Sequence, residues 1–216
     1  MGEILIEKIE NLKLEVLEMG ELAVSMLRDA VLALKAQDIY LAKDVIKKKE
    51  DIAKMDEQIE ERALRMIALY HPVAKDMRVI AAVLKMITYL TRVGRYAKDI
   101  AKTALLLADE PHISKLVEIP YMSDRVVEMI TDALNSFKKE DLTYIKNFSE
   151  RDDEIDSLYY SIFRECLTYM MEDAKNITKC IHYIIVARYL ERCGDHACKI
   201  AEKVHYMITG ERIEIK

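Results

Sequence analysis

Two stretches, YLTRVGRYAKDIAK at residues 89–102 and YLERCGDHACKIAE at residues 189–202, agree at seven of fourteen positions at a constant offset of 100 with no gap. The shared residues are Tyr, Leu, Arg, Gly, Ala, Ile and Ala, and the apolar ones recur at intervals of three and four. That interval is the period of an amphipathic helix, so one helix occurs twice in the chain. Working outward, Asp29 and Asp132, then Asp38 and Asp141, pair at an offset of 103, while Asp56 and Asp156 keep the offset of 100. The second copy therefore reads as about one turn shorter around its second helix.

The rest of the chain extends this helical reading. In 216 residues there are only 5 Gly and 3 Pro, too few turns for a doubly wound α/β sheet. Ile52, Met55, Ile59, Ala63, Met66 and Tyr70 mark one buried stripe. Breaks fall at Asp38 and Asp141 as N-caps, at His71-Pro72, Pro111, Pro120, Glu172-Asp173 and Gly210. The spacing predicts six helices over residues 4–36, 38–70, 73–109, 118–139, 141–170 and 173–209. Helices of about 33 residues are roughly 50 Å rods that need lengthwise packing. The fold class is all-α, with two pseudo-symmetric three-helix bundles, residues 1–110 and 118–210, joined near Pro111.

Composition excludes several functions. A net charge of -5, with acids and bases interleaved, gives no electrostatic footprint for nucleic acid. The run Lys47, Lys48, Lys49 reads as a solvated face. The most apolar windows, residues 79–90 and 180–190, carry Lys85, His182 and Arg188 and fall short of a transmembrane segment. Four cysteines without CxxC spacing, and no signal peptide, fit a reduced cytoplasmic setting. No glycine-rich phosphate loop, nucleophile elbow or HExxH motif occurs, so no enzyme chemistry is legible.

Gly94 and Gly194 occupy the same mid-helix position, where glycine costs about 1 kcal/mol relative to alanine. Close approach of a neighbouring helix is the simplest reason. Around Gly194, Glu191, Asp195, Cys198 and Glu202 fall at i, i+4, i+7 and i+11 and share one stripe. Ionised carboxylates one turn apart repel, and a multivalent cation would remove the repulsion. The plainer reading is an acidic face neutralised by Arg188, Arg192 and Lys199, with Cys198 a small core residue. His182 and His196 read as surface or satisfied histidines. In the first copy Thr91 and Arg95 stand in place of Glu191 and Asp195, so Arg95 is expected to act as a built-in counter-charge to Asp56 or Asp76.

Taken together, LERCGDHACKIAE, the segment YHPVAKDMRVIAAVLKMITYL at residues 70–90, EIDSLYYSI at residues 154–162 and the duplication resemble the PhoU family of phosphate-signalling regulators. The resemblance covers nearly the whole chain, with Pro72, Ala74, Asp76 and Arg78 matching the family's entry into the third helix. It implies a cytoplasmic homodimer that represses the phosphate-starvation response. It would do so by docking to the ATPase of the phosphate ABC transporter and, in bacteria, a sensor histidine kinase. Some members bind iron or zinc clusters through a motif that Glu191 and Asp195 match, with Asp76, Cys198 and Glu202 as further metal candidates. Thr91 and Arg95 depart from that motif, and Asn176 and Thr178 depart from Asp76 and Arg78. Two other readings stay open: a ferritin-like carboxylate-bridged metalloenzyme, for which Glu202 and His205 supply the single Glu-x-x-His, and a metal-free helical scaffold.

Overall fold

The computed structural model describes residues 2–114 and 116–215, and among them there is no strand. Six helices follow in order: α1 (Gly2–Ala36), α2 (Ile39–Tyr70), α3 (Ala74–Leu106), α4 (Glu118–Lys139), α5 (Phe148–Glu172) and α6 (Ile177–Thr209). α1, α2 and α3 pack as one three-helix bundle and α4, α5 and α6 as another. The bundles meet through α1 against α4 and α3 against α6. These four helices form the middle of the molecule, and α2 and α5 flank it on opposite outer sides.

The corners after α1 and α4 are alike. Gln37 and Glu140, 103 residues apart, both take the left-handed conformation, at φ 54° and 53°. Each is followed by an aspartate that caps what comes next. Asp38 accepts from the amides of Tyr40 and Leu41 and so starts α2. Asp141 accepts from the Thr143 amide but starts only the 3-10 turn Leu142–Ile145, so α5 begins at Phe148 rather than at residue 141. Likewise Asp173 caps the turn Ala174–Asn176, and α6 begins at Ile177.

The two glycines behave as their helix positions require. A Cβ on Gly94 would lie 2.8 Å from Ile52 Cδ1, and one on Gly194 would lie 3.1 Å from Ile155 Cδ1. In each bundle the middle helix drives an isoleucine against the last helix where that helix has no side chain. Ile52 and Ile155 differ by 103, as do the ion pairs Lys48–Asp29 (3.1 Å) and Arg151–Asp132 (2.8 Å). The buried Ile59 and Ala63 match Ile162 and Cys166 at the same offset. The offset of 103 thus runs through α2 and α5, and Asp56 is not the counterpart of Asp156. The three missing residues lie at the turn into α6, where a deletion leaves every helix face in phase.

Between the bundles the helices run antiparallel. Gly20 of α1 sits under Leu134 of α4, where a Cβ would lie 2.5 Å from Leu134 Cδ1. On α3 and α6 the rings of Tyr89 and His196 stack at 5.7 Å, and those of Tyr96 and Tyr189 at 5.4 Å, both at 26°. These pairs are images of one another under the offset of 100, so a pseudo-two-fold axis passes between them. The connection at residues 107–117 is tied to both halves. His112 hydrogen-bonds the Tyr183 hydroxyl (2.8 Å) and the Leu34 carbonyl (2.9 Å), and Gln37 donates to the carbonyls of Leu107 and Glu110.

Candidate functional site

The contacts of Ile155 and Asp152 with Gly194 and Cys198 fix α5 antiparallel to α6. This register brings Asp152 and Asp156, one turn apart on α5, beside Glu191 and Asp195, one turn apart on α6. The cysteine thiol of Cys198 hydrogen-bonds Asp152, and burial holds it far above the usual thiol range. It is a protonated donor here, with its side chain in the core.

Burial and neighbouring acids perturb Asp152, Asp156 and Glu191. Glu191 is 9% exposed, and burial together with the Asp195 charge pushes its carboxyl up to about 6 against the pull of Arg188 and Arg192. Burial, then the neighbouring acids, also raises Asp152 and Asp156. Arg188 Nη1 donates to Glu191 Oε1 at 2.7 Å, while Glu191 Oε2 is buried with no hydrogen-bond partner. Arg192 Nη1 lies 3.4 Å from Asp195 Oδ2. Leaving a buried carboxylate oxygen unsatisfied costs about 1–3 kcal/mol, so the arginines compensate this cluster only in part.

The donor chemistry fits a hard or borderline cation: four carboxylates from two rigid helices, one with a buried oxygen that accepts no hydrogen bond. Among the described residues, no three His, Cys, Asp or Glu side chains already stand as a ligand set. Glu191 and Asp195 are turned to Arg188 and Arg192 instead.

Other expected residues are placed elsewhere. Glu202 is buried, but it accepts from Lys199 Nζ (2.7 Å) and the Ile215 amide (3.2 Å), so it anchors the C-terminal segment. His205 Nδ1 lies 3.1 Å from the Glu211 carbonyl, which leaves the Glu202–His205 pair engaged with that segment rather than with a shared ion. Asp76 is in the first turn of α3. The α3–α6 register puts Gly94 near the level of Glu191, so Asp76 is roughly 27 Å away at 1.5 Å per residue. Arg95 is exposed and, among the described residues, forms no ion pair with Asp56 or Asp76. By the packing equivalence its neighbours on α2 are Lys49 and Ala53, not those acids. His196 also departs from expectation: it is 7% exposed, its Nε2 has no hydrogen-bond partner, and burial plus Arg92 and Arg192 lower it to about 4.

The α5 half of the cluster escapes a reading based on α6 alone. Asp152 and Asp156 have the same i, i+4 spacing as Glu191 and Asp195, but only the facing register joins the two pairs. No helix among the described residues is long and apolar enough to cross a membrane.

The described residues thus form a duplicated six-helix, all-α protein with a carboxylate cluster on one of its two bundles. Comparison with known proteins gives the family. A PhoU domain model matches residues 16–104 and 119–204, on either side of the connection. The phosphate-specific transport system accessory protein PhoU homolog of Aquifex aeolicus is 40% identical over 210 residues, covering 97% of this chain and 95% of its own length. Its counterpart in Caulobacter vibrioides (strain NA1000 / CB15N) is 39% identical over 208 residues, covering 96% and 90%. The crystal structure of PhoU from Pseudomonas aeruginosa superposes with a TM-score of 0.90 at 33% identity, over 95% of this chain and 99% of that one. The phosphate transport system regulatory protein PhoU from Streptococcus pneumoniae gives 0.89 at 26% identity, over 97% and 99%. The chain belongs to the PhoU family.

Proposed function

We propose that this protein is an accessory regulator of phosphate uptake, cytoplasmic, working by docking rather than by catalysis. Its partners would be the ATPase subunit of a phosphate ABC transporter and a sensor histidine kinase, and it would restrain phosphate-starvation signalling as a homodimer. Full-length similarity to accessory proteins of phosphate-specific transport systems carries this reading. Immobilised protein retaining the purified transporter ATPase supports it. No retention, in phosphate-replete and phosphate-free buffer alike, removes it.

Glu191 and Asp195, with Asp152 and Asp156 opposite, would hold an iron or zinc ion. The observation behind this is the buried Oε2 of Glu191, which accepts no hydrogen bond and has the Arg192 Nε no nearer than 3.8 Å, inside a crowd of acids. A bound cation would supply the positive charge that lets all four carboxylates stay ionised. Without it, Arg188 neutralises Glu191 alone, and Arg192 shares itself between Glu191 and Asp195. Elemental analysis of the wild type beside Glu191→Gln/Asp195→Asn tests the site. Equal metal content in the two would leave the stripe an ordinary acidic face.

A further inference from the structure

The outer groove between α5 and α6 carries a band of large apolar side chains that nothing among the described residues covers. On α5, Tyr160, Phe163, Leu167 and Met171 are 62, 37, 41 and 81% exposed; on α6, Ile181 and Ile185 are 47 and 36% exposed. The α5 residues are spaced by three and four and form one stripe. The interaction of Cys166 with Cys180 puts Leu167 level with Ile181, and Phe163 level with Ile185, on the antiparallel pair. The two rows therefore run level for about one turn, and Tyr160 and Met171 extend the α5 row at either end.

The other bundle shows that the fold does not require this band. The residues at the equivalent positions are Glu57, Glu60, Leu64 and Ala68 on α2, and Ala81 and Lys85 on α3, which make a polar surface of ordinary kind. A contiguous apolar patch on one copy only marks an interaction site.

Charge selects what covers it. At one end the groove runs past Arg188, which lies over the Tyr159 ring at 5.7 Å, into Asp156, Glu191, Asp195 and Asp152. At the other end stand the exposed Glu172 and Asp173. A second copy of this band would set acid against acid in either orientation, and an anionic lipid surface would meet the same repulsion.

We propose that in the metal-free protein the α5–α6 groove receives an amphipathic helix of a partner protein, whose apolar stripe lies along Leu167 and Ile181 and whose Lys or Arg residues meet the Asp156–Asp195 end. Helix-in-groove recognition uses this pattern of anchors at i, i+4 and i+7. The inference rests on the docking reading and names the surface that would carry it.

The probe is a fluorescent 18-residue helical peptide with leucines at i, i+4, i+7 and i+11 and three lysines at one end. Its match carries glutamates in place of the lysines. Expected are saturable anisotropy with the lysine peptide, at least tenfold weaker binding to Leu167→Glu/Ile181→Glu, and several-fold weaker binding to Asp156→Asn/Asp195→Asn. Leu64→Glu in the first bundle should bind as the wild type does, and circular dichroism should show every variant folded. No saturable binding, equal affinity for the two peptides, or binding indifferent to Leu167→Glu/Ile181→Glu overturns the proposal. It is also overturned if those substitutions instead dissolve a homodimer in sedimentation or abolish co-sedimentation with anionic vesicles. Retention of the transporter ATPase by the Leu167→Glu/Ile181→Glu variant would reject this surface while leaving the docking reading intact.

Discussion

At the place where the second bundle gathers Asp152, Asp156, Glu191 and Asp195, the first carries Lys49, Ala53, Thr91 and Arg95. Four acids in one copy correspond to two bases and two uncharged residues in the other, at an offset of 103 on the middle helices and 100 on the last ones. The interiors beneath them match: Ile52 enters the gap at Gly94 as Ile155 enters the gap at Gly194, and Asp29–Lys48 repeats as Asp132–Arg151. The duplication keeps what packs and reassigns what faces solvent. A helix pair requires complementary shapes along its seam, whereas charges on its outer rim contribute little to the fold.

Four experiments press on that contrast. The largest effect belongs to the shared packing. Ile52→Ala and Ile155→Ala each remove a buried side chain opposite a glycine, so each should lower unfolding free energy by about 2–5 kcal/mol, measured by urea titration. A small loss at one site and a large loss at the other would break the equivalence of the bundles.

The next concerns the rims. Introducing Lys49→Asp, Ala53→Asp, Thr91→Glu and Arg95→Asp copies the acid set onto the first bundle, and calorimetric titration with zinc should then show an additional binding event. An ion at a hundred times its dissociation constant stabilises the fold by about 2.7 kcal/mol. A quadruple variant that binds no more metal than the wild type would mean that the acids alone do not define the site.

Titration gives a somewhat smaller effect. Glu191 stands at about 6 in the fold against 4.5 for its ordinary value. Between those pH values the folded state holds more of the proton than the unfolded state, so metal-free stability should fall by about 2 kcal/mol as pH rises through that window. Below it the residue is protonated in both states. Glu191→Gln should flatten this limb in thermal melts, and Thr91→Gln in the first bundle should leave it unchanged. An identical limb in Glu191→Gln would assign the proton to another acid.

The smallest effect is a matched pair. Lys48→Ala and Arg151→Ala cut equivalent, partly exposed ion pairs, and each should cost about 0.2–1 kcal/mol. Costs that differ by more than that range would show that one corner relies on its ion pair and the other does not.

Much of this was legible from the sequence. Gly94 and Gly194 signalled close helix approach because glycine is disfavoured mid-helix without cause. Asp38 and Gly210 marked ends where backbone groups need capping. Asp141 misled because the same side-chain cap serves a 3-10 turn as readily as an α-helix, and the break at Glu172-Asp173 likewise opens on a 3-10 turn before α6 begins. The candidate site was half legible. Glu191 and Asp195 share a helix, and periodicity finds them, whereas Asp152 and Asp156 join them only through the register of α5 on α6. Glu202 lay on the right stripe but is held by the Ile215 amide, and no pattern within one helix reveals that. His196 was misread because its burial comes from Tyr89 and Tyr96 on another helix.

His112, bonded at once to Leu34 and Tyr183, bears on how the chain avoids misassembly. The α3–α6 seam is self-complementary, so the first bundle of one molecule could close on the second bundle of another and exchange halves. A short connection fastened at both ends keeps each half at high effective concentration for its own partner. Intramolecular closure then wins at ordinary protein concentrations. Loosening that fastening, as in His112→Ala, is the change that would open the route to domain swapping.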